Sequence, residues 1–428
     1  MPLSISSLVA ATFAASHAAL ALPPGSPSSN FPHSSHADSL VNTKVASDSS
    51  WPIKQARSTG IVPDGTAAVA EIYQKYKAAL PEDVEGALSR RQNRAPFFGY
   101  SVNPSTKYLV PVQVGSDQSE LNLMLDVTSA GIFVFPQEAE DTDLEDPYTP
   151  YESSSAVLMK GYSWEIKNPV GKTASGEVYQ EVVSIESSQG LLTSEKQAIQ
   201  VINSALGFGD IEDFNGILGM AFSSRNAINP KPQPSFFDNI VDKLTKKIFT
   251  VDIKHFGAGE LDFSYINEKG YTGKIGYADV LKDEGYWNFT IGGLVSDPAT
   301  PAATGTEYVV ADTAMSILML PAQYNTAYYN QIPNAQYSEE DGGYIFPCDN
   351  TPPNFSFRVG DVDLDIPGEY MKFAPLHDDS SLCFGGLQSS EQLGFNLIGN
   401  IAFKSAFVVF DPINAKIGWA RKTIEHDE

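Results

Sequence analysis

The chain has 428 residues, of which 42% are hydrophobic and 11% aromatic, which is enough for a large apolar core in two or three domains. Its formal net charge is −24, and this disfavours nucleic acids and anionic membrane surfaces as partners. The same charge suits a protein that works in acid, where many carboxylates are protonated, although many secreted proteins are simply acidic.

The first residues are typical of a secretory signal peptide. A short apolar stretch ends in the small-x-small site Ala19-Leu20-Ala21, so residues 1–21 are predicted to be removed on secretion to the extracellular space. The apolar stretch is too short to span a membrane.

A propeptide is predicted over residues 22–91. Residues 22–60 are rich in Ser, Pro and Ala and are expected to be disordered, whereas residues 66–80 have helical spacing. The dibasic pair Arg90-Arg91 indicates a processing site, so the mature chain is expected to begin near Gln92.

From Tyr108 onwards the pattern is one of short strands separated by turns. The stretch "GYSWEIKNPVGKTASGEVYQEVVSI" predicts a hairpin with its turn at Asn-Pro-Val-Gly. Helices are expected in "PSFFDNIVDKL" and "QYNTAYYNQI".

Two apolar strands each carry a lone aspartate near their end. Asp126 lies in "LMLDVTSAGIFVF" and Asp312 in "VVADTAMSILMLP". An apolar-apolar-Gly run ends at Gly219, 93 residues after the first aspartate, and a second ends at Gly399, 87 residues after the other. Matched features at matched distances predict two duplicated lobes that face each other.

Two facing lobes would bring Asp126 and Asp312 together. Two adjacent carboxylates cannot both ionise easily, so the pair can share one proton and catalyse the hydrolysis of an amide by general acid–base chemistry. This chemistry needs neither a metal nor a cofactor, and none is predicted. The sequence shows no serine-hydrolase elbow and no phosphate-binding Gly loop, and the His33/His36 pair is assigned to a polar tract.

The chain has two cysteines, Cys348 and Cys383. After a secretory leader they predict one disulfide that closes a local loop, with two buried free thiols as the alternative. Asn288 and Asn354 each begin an N-glycosylation sequence. An unmodified residue is favoured for Asn354, which lies in a predicted strand, while Asn288 stays open.

Long stretches of the chain, over about residues 98–421, resemble the pepsin-like aspartic proteases, most closely the fungal aspergillopepsin and penicillopepsin type. They include "GILGMAFSSRNAINPKPQPSFFDNIVDKL", "GGYIFPCDNTPPNFSFRVGD" and "VVFDPINAKIGWA".

The resemblance implies an all-β, bilobal fold with two pseudo-twofold-related β lobes and a central cleft. The N-terminal lobe would span residues 92–275 and the C-terminal lobe residues 276–428. It also implies that Asp126 and Asp312 form the catalytic dyad, that the propeptide is removed, and that the two cysteines pair with each other.

The two loops that carry the aspartates depart from the family pattern Asp-Thr-Gly-Ser/Thr. They read Asp126-Val127-Thr128-Ser129 and Asp312-Thr313-Ala314-Met315. Val127 lacks the hydroxyl that would brace one loop against the other. Thr128 and Ala314 add side chains where glycine leaves room beside the attacking water. Met315 cannot donate a hydrogen bond to its aspartate, whereas Ser129 still could.

The hairpin tip that covers the cleft in the family, the flap, departs as well. Asn168, followed by Pro169, stands at the position of the family's Tyr, and Phe133 at that of the Trp which hydrogen-bonds it. In the propeptide, Lys75-Tyr76 resembles the family's Lys-Tyr that caps the dyad, the alternative being a solvent-facing helical lysine.

Two functions are therefore expected. The first is a secreted, pepsin-like endopeptidase of acid pH, made as a zymogen and weakened by its altered loops. The alternative is a non-proteolytic homologue whose cleft binds a peptide or a small apolar molecule, or an accessory enzyme that uses the same carboxylates. A peptide or protein substrate, or such a ligand, and the chain's own propeptide are the expected partners of a monomer.

Overall fold

The computed structural model describes residues 51–57, 63–91, 107–116, 119–135, 148–167, 173–187, 189–205, 214–255, 259–295 and 305–424. All of them belong to the compact unit that spans Lys44–Glu428. The predicted signal peptide, Gln92 at the predicted processing junction, and the flap residues Asn168 and Pro169 lie outside the described residues.

The first half of the chain is built mainly from strands. They are β1 (Trp51–Arg57), β2 (Tyr108–Val114), β3 (Ser119–Asp126), β4 (Ile132–Val134), β5 (Val157–Lys167), β6 (Thr173–Ser187), β7 (Gly190–Ala205), β8 (Gly216–Gly219), β9 (Ile228–Asn229), β10 (Phe249–Asp252), β11 (Gly259–Phe263) and β12 (Thr272–Asp279).

The second half continues in the same way. Its strands are β13 (Asn288–Val295), β14 (Glu307–Ala311), β15 (Leu318–Leu320), β16 (Gln336–Ser338), β17 (Gly343–Pro347), β18 (Phe355–Val359), β19 (Val362–Ile366), β20 (Lys372–Pro375), β21 (Leu382–Gly385), β22 (Leu387–Ser389), β23 (Asn396–Ile398), β24 (Ala406–Asp411) and β25 (Lys416–Arg421).

The helices of the described ranges are short. They are α1 (Gly65–Lys75), α2 (Glu82–Arg91), α3 (Phe236–Ile240), α4 (Ala322–Tyr329) and α5 (Asn400–Phe403). Both α3 and α4 lie where the sequence predicts helices. Within these ranges no helix has the length and hydropathy needed to cross a bilayer.

Three sheets organise the described strands. A 14-stranded sheet runs in the order β12-β25-β24-β10-β11-β1-β2-β3-β8-β4-β7-β6-β5-β9, a 7-stranded sheet in the order β19-β18-β13-β14-β23-β15-β22, and a 4-stranded sheet in the order β16-β17-β21-β20. Because β24 and β25 join β10 and β11, the largest sheet contains strands from both halves of the chain. The predicted all-β class is confirmed.

The alternation of apolar and polar residues explains why individual strands form. Along β19 the side chains of Val362, Leu364 and Ile366 are buried, whereas Asp363 and Asp365 face solvent. This period of two is that of a strand with one face on the core. The predicted hairpin also forms, since β5 and β6 pair in antiparallel register.

The predicted internal repeat corresponds to a repeated strand pairing. β3 runs parallel to β8 and places Asp126 opposite Gly219, while β14 runs parallel to β23 and ends just before Asp312. Backbone from another part of the chain packs closely against both glycines. A Cβ atom on Gly219 would lie 2.5 Å from a backbone oxygen, and a Cβ atom on Gly399 would lie 2.2 Å from another. Glycine is needed at both positions because a side chain would not fit there.

The expectation of disorder over residues 22–60 is wrong for Trp51–Arg57. This segment forms β1, which pairs in antiparallel register with β11 and β2. Amino-acid composition alone cannot show that β2 and β11 each present unpaired backbone groups with which a third strand can pair. The predicted helix over 66–80 also ends earlier, at Lys75, and Lys77 has a φ of 58° that no helix can accommodate.

The predicted disulfide is confirmed. Cys348 and Cys383 are bonded, with their Cα atoms 5.0 Å apart, so the alternative of two free thiols is excluded. The bridge ties the chain just after β17 to β21, its neighbour in the 4-stranded sheet.

The two candidate glycosylation sites differ in accessibility. Asn288 is 3% exposed and lies within β13, whereas Asn354 is exposed and directly precedes β18. The structure therefore favours Asn354 over Asn288 as an accessible acceptor, the reverse of the ranking from sequence. Modification of either residue stays a prediction.

Asp262 generates a testable prediction about pH and stability. It is 1% exposed on β11, and burial, with Glu260 and Asp252 nearby, raises its pKa to about 7. A raised carboxyl pKa favours the folded state at low pH, and this advantage is lost as the pH rises from about 4 to 7. We expect Asp262→Asn to flatten the pH dependence of unfolding in that window and to stabilise the chain at pH 7 by up to ~4 kcal/mol. Unfolding in denaturant between pH 4 and 8 measures this, and an unchanged slope would contradict it.

Candidate active site

Asp126 lies at the end of β3 and is 3% exposed. Its Oδ1 atom accepts hydrogen bonds from the backbone N–H of Thr128 at 2.8 Å and from the Thr128 hydroxyl at 2.6 Å. Two donors from one residue therefore stabilise the ionised carboxylate.

Asp312 follows β14 and is fully buried. Its Oδ1 atom accepts from the backbone N–H of Ala314 at 2.9 Å and of Met315 at 3.2 Å. The second loop therefore holds its aspartate with backbone donors, whereas the first uses a side-chain hydroxyl as well.

Lys75, the last residue of α1, joins the two aspartates. Its Nζ atom is 3.0 Å from Oδ1 of Asp126 and 2.9 and 3.0 Å from Oδ1 and Oδ2 of Asp312. The neighbouring Tyr76 donates its hydroxyl to Oδ2 of Asp312 at 2.8 Å. The structure thus brings the two predicted aspartates to one point, and the predicted Lys-Tyr contact is confirmed over the solvent-facing alternative.

The charges at this point reinforce one another. Burial works to lower the pKa of Lys75, but the two carboxylates outweigh it and the pKa is raised. Burial works to raise the pKa of Asp126, but Lys75 and the hydrogen bonds of Thr128 outweigh it and the pKa is lowered. Lys75 therefore stays protonated and Asp126 ionised over a wide pH range.

Half of the brace between the two loops is present. The Thr313 hydroxyl donates to the backbone oxygen of Leu125 at 2.8 Å and accepts from the backbone N–H of Val127 at 3.2 Å. Val127 is fully buried and has no hydroxyl, so it cannot return these two bonds. The loops are thus joined from one side only.

Thr128 takes the role expected of Ser129. The Ser129 hydroxyl is buried and has no hydrogen-bond partner among the described residues. The hydroxyl that supports Asp126 comes from Thr128, which the sequence pattern marks only as an intrusion. The reason is geometric: the residue two positions after an aspartate can return both its N–H and its hydroxyl to that carboxylate.

Phe133 is not left without a partner by the altered flap. Its ring packs edge to face against Trp164 of β5, with the ring centroids 5.3 Å apart. Trp164 is buried and donates its indole N–H to the backbone oxygen of Val201 at 3.3 Å. The structure therefore places a Trp beside this position from the hairpin strand, a residue that sequence reasoning missed although its alternation within β5 points inward.

A second buried ion pair links α1 to the second loop. Lys107, 2% exposed, contacts Glu71 of α1 at 3.3 Å and donates to the backbone oxygen of Ala314 at 2.9 Å. Burial raises the pKa of Glu71, with the attraction of Lys107 opposing it. Sequence reasoning missed this pair, because nothing local marks two residues 36 positions apart as neighbours.

The chain belongs to the eukaryotic aspartyl protease family, whose family model matches residues 107–422. It is similar to endothiapepsin of Cryphonectria parasitica, with 35% identity over 87% of this chain and 90% of that protein. Aspergillopepsin-1 of Aspergillus fumigatus is 34% identical over 83% of this chain and 87% of its own length. Penicillopepsin-1 of Penicillium rubens is 35% identical over 82% and 86%.

The fold is shared with a solved structure. The aspartic proteinase from Irpex lacteus matches with a TM-score of 0.62 and 18% identity, over 75% of this chain and 96% of that chain. This likeness concerns the fold alone, and it confirms the predicted bilobal, pepsin-like architecture.

The Lys75 contact generates a prediction about acid. In the full chain we expect Lys75→Met to reduce the free energy of unfolding at pH 7 by about 3–5 kcal/mol, because it leaves buried carboxylates without their cation. The pKa of Asp126 is lowered below its ordinary 3.8, so the contribution is present above that value and is lost as the pH falls through the folded pKa. Denaturant unfolding from pH 7 to pH 2 should therefore show the variant and the parent converging in acid.

Glu71→Gln is the matched control. The pKa of Glu71 is raised, so acid favours its buried, protonated form. The pair of Glu71 and Lys107 therefore does not account for a loss of stability on acidification. The Glu71→Gln chain should keep the acid-induced loss that Lys75→Met removes. Equal pH dependence in Lys75→Met and the parent would show that acid acts elsewhere.

Proposed function

We propose that this chain is the precursor of a secreted acid endopeptidase, in which Asp126 and Asp312 hydrolyse peptide bonds once segment 22–91 is removed. One observation carries the proposal: a single ammonium nitrogen of that segment contacts both carboxylates. A group that binds both aspartates at once occupies the position that an attacking water needs.

The proposed chemistry follows from the position of the pair. When Lys75 leaves, two adjacent carboxylates keep one proton between them, because ionising both is unfavourable. The ionised carboxylate takes a proton from the water as it attacks the peptide carbonyl, and the protonated one gives its proton to the carbonyl oxygen. The hydroxyl of Thr128 favours ionisation of Asp126 and so supports the assignment of Asp126 as the base.

The position of segment 22–91 supports its role as a removable inhibitor. The segment reaches the C-terminal lobe as far as Arg90, whose guanidinium donates to the backbone oxygens of Glu339 and Glu340. Arg91 ends α2, so cleavage after the dibasic pair would separate β1, α1 and α2 from the rest of the chain.

The altered loops favour a second candidate, a homologue whose cleft binds a peptide or a small apolar molecule without cleaving it. Met315 supplies no side-chain donor, the Ser129 hydroxyl has no partner in the part of the chain that the structure describes, and Val127 cannot complete the brace. Each of these changes removes support from a carboxylate or its loop. In the first candidate the same features reduce the rate without abolishing it.

The decisive measurement is acid proteolysis by the unmodified chain. We expect cleavage of a denatured protein substrate at pH 3–5 that a transition-state inhibitor of aspartic proteases blocks. Asp126→Asn and Asp312→Asn should each lower the rate by about 100- to 10,000-fold, the usual contribution of a general acid or base. Thr128→Val keeps the shape but removes the hydroxyl that favours ionisation of Asp126. The acid limb of the pH–rate profile should therefore move to higher pH.

Absence of cleavage, together with binding of the inhibitor that depends on Asp312, would favour the second candidate. Cleavage that survives both Asn variants would mean that a contaminating protease is responsible.

Completion of the brace should strengthen activity. Val127→Thr adds a hydroxyl at a fully buried residue whose backbone N–H already donates to Thr313 of the second loop. We expect a several-fold gain in acid proteolysis with stability retained. If the hydroxyl finds no partner, the chain should instead lose about 1–3 kcal/mol of stability and gain no activity. Val127→Ile, which adds bulk without a hydroxyl, is the control. An equal gain in both variants would contradict the bracing argument.

A further inference from the structure

Arg225 is an exposed cation that two contacts with Tyr286 hold in place. It lies in the 3₁₀ turn Ser223–Arg225, with its guanidinium carbon 4.0 Å from the ring centroid of Tyr286. Its Nη2 atom donates to the Tyr286 hydroxyl at 2.5 Å. Gly285 has a φ of 76°, and a Cβ there would lie 2.5 Å from Cγ of Arg225, so the turn before Tyr286 leaves room for the arginine stem.

Tyr286 connects this arginine to the aspartate pair. Its ring centroid is 5.9 Å from that of Tyr76, whose hydroxyl contacts Asp312. The phenol lies within electrostatic range of Arg225 on the one hand and of Lys75 and both aspartates on the other. A chain that passes the aspartates beside Tyr286 therefore comes next to Arg225.

The propeptide follows this path with a poorly matched residue. Lys77, which comes after Tyr76, has a φ of 58°, a conformation that costs a non-glycine residue free energy. Partial burial lowers the pKa of Lys77, the positive charge of Arg225 lowers it further, and Glu165 of β5 opposes them less strongly. The electrostatic potential at this position is therefore unfavourable to a cation.

We propose that the cleft position beside Arg225 selects an acidic side chain in the peptide that occupies it. The guanidinium has five N–H donors and the bond to Tyr286 uses one, so its fork can still receive a carboxylate. Because stacking already orders the arginine, less side-chain entropy is lost when the carboxylate binds. The selection rests on the proposed function insofar as the cleft receives peptides, but it concerns binding and does not require cleavage.

The test uses peptides that cannot be cleaved. A set with one reduced peptide bond carries Glu, Gln or Lys in turn at each of the three positions on either side of that bond. Binding is measured at pH 5 to the full chain after acid treatment that releases the propeptide. At one position we expect Glu to bind about 2- to 5-fold more tightly than Gln, and Lys more weakly than Gln, the range of an exposed ion pair. The preference should shrink in high salt.

Three variants assign the preference to its residues. Arg225→Gln should bring the Glu-to-Gln ratio at that position close to one, while Glu165→Gln should increase it. Arg225→Lys should keep part of it, because the charge stays but the planar fork is lost. Since each result is a ratio between two peptides on one protein, a loss of folded material lowers both affinities and leaves the ratio interpretable.

Three results would overturn the proposal: no position that prefers Glu, a preference that survives Arg225→Gln, or no binding of any peptide. Cleavage of the corresponding normal Gln peptide reports separately on the proposed function. Tight, Arg225-dependent binding of the Glu peptide without cleavage would support this inference and reject proteolysis.

Discussion

The contact between one ammonium group and two carboxylates is the constraint on which the rest of the cleft depends. Asp126 and Asp312 are almost completely buried, and two ionised carboxylates side by side in such a place are strongly unfavourable. Lys75 compensates both charges at about 3 Å. Because the cation comes from a segment outside the two predicted lobes, the electrostatics of the pair would differ between the full chain and a chain that lacks this segment.

The two loops around the pair are related by strand pairing but not by chemistry. β3 with β8 and β14 with β23 repeat one arrangement, which places an aspartate beside an apolar-Gly strand twice. Within it, the first loop supports its aspartate with a backbone N–H and a hydroxyl, and the second with backbone N–H groups. The brace likewise comes from Thr313 alone. Such asymmetry suits a pair whose members need different protonation states, one ionised and one protonated.

Much of this could be predicted from the sequence, because the signals are local or duplicated. The strand periodicity, the repeated Asp and Gly spacing and the family motifs predict the fold and bring Asp126 and Asp312 together. The disulfide could be predicted because Cys348 and Cys383 are the chain's two cysteines. The hydrogen bonds that support Asp126 could not be predicted from the sequence. They depend on which of two neighbouring hydroxyls reaches the carboxylate, and Thr128 rather than Ser129 does so.

Contacts between segments that are distant in the chain could not be predicted from the sequence either. Trp164 packs against Phe133 through a pairing of separate strands, and Glu71 meets Lys107 across the predicted processing site. A position-by-position comparison with the family motif detects that position 133 lacks a Trp. It does not detect that Trp164, from another strand, packs beside that position. For the same reason, substitutions within a motif overstate the loss when neighbours from elsewhere in the fold fill the space.

The cations near the aspartate pair would also differ between the full chain and a chain without segment 22–91. In a chain of net charge −24, Lys75 contacts the aspartate pair and Lys107 contacts the backbone of the second loop. Lys77 follows Tyr76 in the chain and lies within electrostatic range of Arg225. Removal of segment 22–91 would take away Lys75 and Lys77, together with Glu71, the carboxylate that Lys107 contacts. Of these four cations, Lys107 and Arg225 would remain. A buried ammonium that loses its carboxylate is costly, so the bond from Lys107 to Ala314 would matter more in a chain without segment 22–91 than in the full chain. The backbone of the second loop would thus be held by a residue near the new N-terminus. The geometry of Asp312 would therefore depend on the conformation that this terminus adopts once segment 22–91 is removed.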